Sequence, residues 1–282
     1  MDVLELIDET FDKDRTEVYE LSIQVSLNGF SYAVKDTIRN TFIALVAKPF
    51  TDSFINHQNW SEMVNSMISL NPILSSKFKK IYFEYSSSDF TIVPAELFDV
   101  SKQKDIFELS HPLPEYFELQ NSTHINGNNF IQIFSIPYTL SSAWLQVQPN
   151  TKFISPLSPL LYYSEVHKLD RLIHIDISDK TILLAYHVDG VLVASNCFVF
   201  KHENDIVYYT INFCKCLNLD FFALNLHVSG VGAEYNDLHK ILSNYFPKIS
   251  MEAHYNSIHF SYQLLRYRVK FFRLFNSTAI CE

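Results

Sequence analysis

The chain has 282 residues, of which 48% are hydrophobic and 19% charged, and it carries a formal net charge of −9. That composition excludes a disordered chain. The negative charge excludes a whole-molecule binder of nucleic acid or anionic membrane, since phosphates must be met by concentrated Lys and Arg. The length predicts about two domains of ~150 residues, large enough to bury a core without disulfide or metal staples. No apolar run approaches the ~20 residues of a membrane span. The acidic start Met1-Asp2-Val3-Leu4-Glu5 lacks the basic region and apolar core of a secretory leader, so a cytoplasmic protein is expected. Cys197, Cys214, Cys216 and Cys281 are too few and too irregular for a disulfide framework, and Cys214-Lys215-Cys216 has no second pair to complete a zinc site. Buried, reduced cysteines are expected.

Residues 1–20 read as a lead-in. Leu21 to Leu27 alternates apolar and polar residues, the period of a half-buried strand. Asn28-Gly29 then marks a hairpin turn with positive φ, and Phe30 to Val34 returns as the second strand. Thr41 to Val46 is a third strand. A helix capped by Asp52 or Ser53 carries Phe54, Ile55, Met63, Val64, Met67 and Ile68 as far as Pro72. Ile81 to Tyr85 and Phe90 to Val93 are strands, the latter running through Pro94 into a helix with Ile106 and Phe107. Tyr116 to Leu119 and Phe130 to Ile136 form a hairpin through Asn126-Gly127-Asn128. A short helix from Pro137, a strand at Lys152 to Ile154 and a helix at Ser158 to Val166 follow.

The opening pattern then repeats. Leu172 to Ile177, Thr181 to Tyr186 and Val191 to Phe200 are strands, with Asp189-Gly190 as a second strong hairpin turn. A helix over Asp205 to Leu217, a strand over Phe221 to Val228, a helix over Glu234 to Asn244 and a strand over Ile249 to Ala253 complete the series. Two runs of three strands, helix and strand point to an internal duplication.

This order resembles the tandem lobes of actin, the sugar kinases, the heat-shock chaperones and the actin-like proteins of pilus assembly and secretion. Ser22 to Val34 resembles the first phosphate hairpin of that superfamily, and Phe90 to Phe98 the strand-Pro-helix step after it. Ile173 to Thr181 resembles the second phosphate hairpin, and Leu226 to Ala233 the glycine turn that holds adenosine. More narrowly, Leu21 to Ser31 and the terminal Cys281-Glu282 resemble a bacterial family of unknown function with this fold. The resemblance implies an α/β architecture of two ribonuclease H-like (actin-like ATPase) lobes in tandem, each a mixed five-stranded sheet with flanking helices. It places the first lobe at residues 21–168 and the second at 169–282. It also assigns a nucleotide site to Asn28, Gly29, Asp176, Ser178, Gly230 and Gly232.

Departures from that superfamily weigh against turnover. Active members carry Asp-x-Gly in the first hairpin, the Asp positioning magnesium and the Gly admitting the phosphates. Here those positions read Ser26 and Asn28, and in the second hairpin Asp176 remains while the Gly is Ser178. No cofactor is therefore expected, with ATP and magnesium the ones to test. Asp176, Asp179 and Asp189 suggest a two-metal nuclease, but turn positions explain the latter two. Glu252 and His254 share one face of an expected strand and are read as chance neighbours among eleven histidines. Near the C-terminus, Arg266, Arg268, Lys270 and Arg273 interleave with aromatic residues. The segment is read as an amphipathic helix with a solvated basic face, the alternative being a docking surface for an acidic partner, protein or RNA. The leading expectation is a non-catalytic scaffold for a protein partner, ahead of a nucleotide sensor and a metal-dependent nuclease or phosphotransferase.

Overall fold

The chain divides into two units in a computed structural model, which describes residues 3–50, 59–124, 129–168, 170–235, 237–255 and 258–279. From the N-terminus run β1 (Leu4–Ile7), β2 (Tyr19–Val25), β3 (Gly29–Asp36), β4 (Thr41–Pro49), α1 (Trp60–Leu70), β5 (Lys80–Tyr85), β6 (Phe90–Pro94), α2 (Gln103–Glu108), β7 (Phe117–His124), β8 (Phe130–Pro137), α3 (Tyr138–Val147) and β9 (Thr151–Ile154). There follow α4 (Ser158–His167), β10 (Leu172–Ile177), β11 (Thr181–Val188), β12 (Val191–Val199), α5 (Glu203–Cys216), β13 (Asn225–Gly230), α6 (Leu238–Ser243), β14 (Ile249–Ser250), β15 (His259–Phe260) and α7 (Phe272–Asn276).

The first unit takes Met1–His124, Asn129–Pro156 and Asn256–Leu265. Its seven-stranded sheet has the order β1-β4-β3-β2-β5-β9, with β15 pairing β4. β2, β3 and β4 form an antiparallel meander, and β5 and β9 add in parallel. Both faces of β2 are covered: Leu21, Ile23 and Val25 are buried on one, Glu20 and Ser22 on the other. Trp60, Met63, Val64 and Met67 repeat at helical spacing, which gives α1 its buried stripe. Asn59 caps α1, its side chain accepting from the Glu62 amide at 3.3 Å. A separate antiparallel sheet, β6-β8-β7, has its own small core of Val93, Phe107, Ile131 and Ile133.

The second unit takes Leu157–Tyr255 and Arg266–Glu282. Its five-stranded sheet runs β12-β11-β10-β13-β14, an antiparallel meander with two strands added in parallel. This is the arrangement of β4-β3-β2-β5-β9 in the first unit. Successive strand side chains point to opposite faces. Ile173, Ile175, Ile177, Leu226 and Val228 therefore share one face, where they pack with Ile206 and Phe213 of α5 and Leu238 and Leu242 of α6. The opposite face holds His174, Asp176, His227 and Ser229, all buried. Asp205 anchors the start of α5, one carboxylate oxygen accepting from the amides of Lys201 and His202 at 2.9 and 3.0 Å.

Several expectations change. The lead-in contributes β1, which pairs with β4, so it belongs to the first sheet. That sheet has seven strands, because β1 and β15 extend the edge at β4. Phe90–Phe98 lies in the separate three-stranded sheet and a 3-10 turn, and does not join the main one. α4, expected in the first lobe, lies in the second unit. Residues 221–223 and 231–234 are 3-10 turns, which leaves β13 and α6 shorter than expected, and β14 ends at Ser250. The proposed Asp52 or Ser53 cap and the Asn126-Gly127-Asn128 turn fall outside the described residues. Cys214 is buried, whereas Cys216 is exposed on the same helix because two residues of separation turn it to the other side.

Candidate functional site

The two hairpins close alike. Val25 pairs with Phe30 and Ile177 with Ile182, leaving four-residue connections that start at Ser26 and Ser178. In each, the serine amide donates to the carbonyl three residues on, at 2.9 Å to Gly29 and 2.9 Å to Thr181. The side chains tighten the same turns. Ser26 Oγ donates to the Gly29 carbonyl at 3.2 Å and accepts from the Asn28 amide at 3.3 Å. Ser178 Oγ lies 2.6 Å from Thr181 Oγ1 and accepts from the Thr181 amide at 3.3 Å. Neither Asn28 nor Gly29 has the positive φ expected of them, whereas Asp189-Gly190 has φ 51° and 82° as its sequence predicts.

This geometry corrects the sequence alignment of the hairpins by two residues. Ser26 matches Ser178, so the counterpart of Asp176 is Gln24, and the parallel register pairs Gln24 with Glu84 as it pairs Asp176 with Ser229. Gln24 Nε2 donates to Glu84 Oε1 at 3.2 Å and to Ser86 Oγ at 3.1 Å, and Ser86 Oγ donates to Glu84 Oε1 at 3.0 Å. Glu84 is buried. Sequence reasoning passed over Gln24 and Glu84, and only the strand register identifies them.

Asp176 is 3% exposed, and both of its oxygens are engaged. Arg273 of α7 donates from Nε to Oδ1 at 2.9 Å, and Ser229 Oγ donates to Oδ2 at 2.6 Å. The chain of contacts continues inward. His174 Nε2 lies 3.0 Å from Ser229 Oγ and 3.0 Å from His227 Nδ1, and His227 Nε2 lies 3.0 Å from the Glu252 carbonyl. A carbonyl only accepts, so His227 carries its proton on Nε2 and its Nδ1 accepts. His174 must then be protonated on Nε2, sharing that proton between His227 and Ser229. Its Nδ1 has no hydrogen-bond partner among the described residues. Burial, reinforced by His227 and His187, holds the His174 pKa well below the usual histidine value. Burial also pulls His227 down to about 4, against the opposing effect of the Glu252 hydrogen bond. Both imidazoles are neutral at pH 7. Tyr163 of α4 stacks on His227 at 5.1 Å, and Phe272 of α7 meets His174 edge-on at 4.6 Å.

Gly230 and Gly232 are used for packing. Gly230 has φ 82°, ψ −167°, a conformation natural only to glycine. A Cβ on Gly230 would collide with the Ile177 carbonyl oxygen and approach the Ile177 carbonyl carbon to 2.9 Å. A Cβ on Gly232 would lie 2.6 Å from three atoms of the Ile177 side chain. The space these glycines leave is filled by Ile177, not held open for a base or ribose.

The C-terminal basic segment is also rearranged. It forms a 3-10 helix, Tyr262–Tyr267, a turn, and then α7 instead of one amphipathic helix. Within the turn, the Val269 carbonyl accepts from the Gly230 amide at 2.9 Å. Arg273, expected to face outward, is buried against Asp176 because that carboxylate needs a counter-ion. Lys270 pairs with Glu234 at 2.7 Å, Arg266 lies 4.7 Å above the Tyr267 ring, and the Arg268 carbonyl accepts from Tyr255 Oη at 3.3 Å. Glu252 and His254 do not share a strand face. Their carbonyls accept from His227 and His167.

The groups that the resemblance assigns to magnesium and phosphate thus do not fit them. Asp176 is buried and paired with Arg273 and Ser229, Ser26 and Ser178 close their own turns, and Ile177 occupies the glycine space.

The architecture is nonetheless of a recognisable class, a mixed α/β protein with the actin-like ATPase fold. A Bacteroides thetaiotaomicron protein with actin-like ATPase fold and unknown function superposes with a TM-score of 0.80 at 20% identity, over 97% of this chain and 100% of its own. A chain of the PilM-PilN type IV pilus biogenesis complex superposes with a TM-score of 0.62 at 8% identity, over 93% of this chain and 98% of its own. No curated protein matches the sequence. Residues 8–249 match the family described as protein of unknown function (DUF3822), and the chain belongs to that family.

Proposed function

We propose that this chain is a non-catalytic actin-like module that acts by binding a protein partner, with its two units derived from one duplicated ribonuclease H-like lobe. The observation that carries the non-catalytic part is the burial of Asp176 and its pairing with Arg273 and Ser229. A carboxylate that is buried and neutralised by an internal guanidinium is poorly placed to hold a metal's water shell, although each oxygen keeps a second lone pair. The shared strand order of the two main sheets and the matching Ser26 and Ser178 turns support the duplication. The partner role draws on one neighbour of the same fold, the PilM-PilN complex, whose name describes an assembly. No helix among the described residues is long and apolar enough to cross a membrane.

A thermal-shift titration with ATP, ADP and a non-hydrolysable analogue, with and without magnesium, tests the reading. A ligand at a hundred times its Kd stabilises a fold by about 2.7 kcal/mol, a shift of several degrees. The expected result is an unchanged Tm at millimolar nucleotide. A magnesium-dependent rise would overturn the proposal and make the chain a nucleotide sensor.

A further inference from the structure

We propose that the C-terminal segment around α7 is a proton-sensitive latch, held over the second unit's sheet by a histidine layer that closes only when its imidazoles are neutral. Phe272 and Arg273 cover the face that carries His174 and His227, and the Gly230 amide ties the preceding turn down through Val269. The network has no place for another proton. If His227 took one on Nδ1, that N–H would face the Nε2–H of His174 at 3.0 Å, donor against donor. His174 could relieve the clash only by moving its proton to Nδ1, where it has no acceptor among the described residues. That move would also strip Ser229 of its donor.

The surrounding charges give an imidazolium no relief. From β10 comes Asp176, already matched by Arg273 of α7. His187 of β11 and His227 of β13 bear on His174, and His167 of α4 and His254 bear on His227, each opposing its protonation once itself protonated. Tyr163 and Tyr255 remain neutral, burial pushing both up, with Arg268 and Asp176 acting on Tyr255 in opposite directions. These histidine neighbours thus bring no negative charge that would stabilise an imidazolium at either position.

The sign follows. With His227 lowered in the closed state from 6.5 to about 4, closure is fully favoured above pH 6.5 and is lost as pH falls towards 4. Opening that frees this one imidazole becomes about 30-fold more favourable between pH 7.5 and pH 5.0, and His174 adds to it.

Hydrogen exchange on the full chain at the two pH values, corrected for intrinsic rates, tests the latch. Amides of residues 268–276 and of β13 are expected to exchange at least tenfold faster at pH 5.0, while those of β3 and β4 stay unchanged. The rise should shrink in His227→Gln, whose amide can both donate and accept without titrating, and vanish in the His174→Gln/His227→Gln double variant. Unchanged protection of residues 268–276 at pH 5.0 would overturn the proposal, as would an equal rise in the first unit or an undiminished one in the double variant. The wild-type comparison decides the matter if a variant fails to fold.

Discussion

Arg273→Ala is expected to destabilise the second unit by about 3–5 kcal/mol, because it leaves the Asp176 carboxylate buried without its cation. Asp176→Asn should do similar damage from the other side, stranding a buried guanidinium and weakening the acceptor for Ser229. Replacing both with apolar residues of similar size, as in Asp176→Leu/Arg273→Met, should cost far less than the sum of the two single losses, since a buried pair often contributes little net stability beyond its own desolvation. The probe matters. Both tryptophans, Trp60 and Trp144, lie in the first unit, so their emission is blind to this change. Hydrogen exchange of β10 and β13 amides in urea reads the second unit directly. Near-additive losses in the double variant would show that Arg273 acts through packing and not as the counter-ion of Asp176.

The second large effect is at the glycine turn. Gly230→Ala is expected to cost more than about 3 kcal/mol, combining a backbone conformation that other residues resist with a collision against the Ile177 backbone. Gly232→Ala meets only the Ile177 side chain and should cost about 1–3 kcal/mol. A companion change separates the two. Ile177→Ala should rescue part of the Gly232→Ala loss and none of the Gly230→Ala loss, because trimming a side chain cannot move a carbonyl. Urea midpoints of the four variants check this. Stability unchanged by Gly232→Ala would mean the space at that turn is open and available to a ligand.

Much of the fold was legible because its signals are local. Strands such as Leu172–Ile177 and Thr181–Val188 announce themselves by β-branched residues between turn residues, and Asp189-Gly190 adopts the left-handed turn that its composition predicts. The site was less so. His174 and His227 sit 53 residues apart, each at an ordinary polar position in an alternating strand, and only parallel pairing makes them neighbours. Arg273 reads as one cation of a solvated helix face until α7 is seen on Asp176. Matching Asp176 to Ser26 by motif spacing failed for a related reason. A hairpin is aligned by its last paired residues, and that register is a tertiary fact. β15 escaped notice because two residues carry no periodicity, and its place beside β4 rests on pairing with Thr41 and Phe42 and on the Phe42–Phe260 stack at 5.2 Å.

The path of the chain between the units has a consequence for biosynthesis. Asn256–Leu265 returns to the first unit after the second has largely been made, and Arg266 onward goes back to the second. The first unit is therefore incomplete until residues 256–265 are made, and the second until the chain from Arg266 onward is made. The first sheet waits for β15 at its edge, and the buried carboxylate of the second waits for its arginine. Asp176 and the two buried histidines are made before Phe272 and Arg273, so they wait uncovered until the chain that follows β15 is in place.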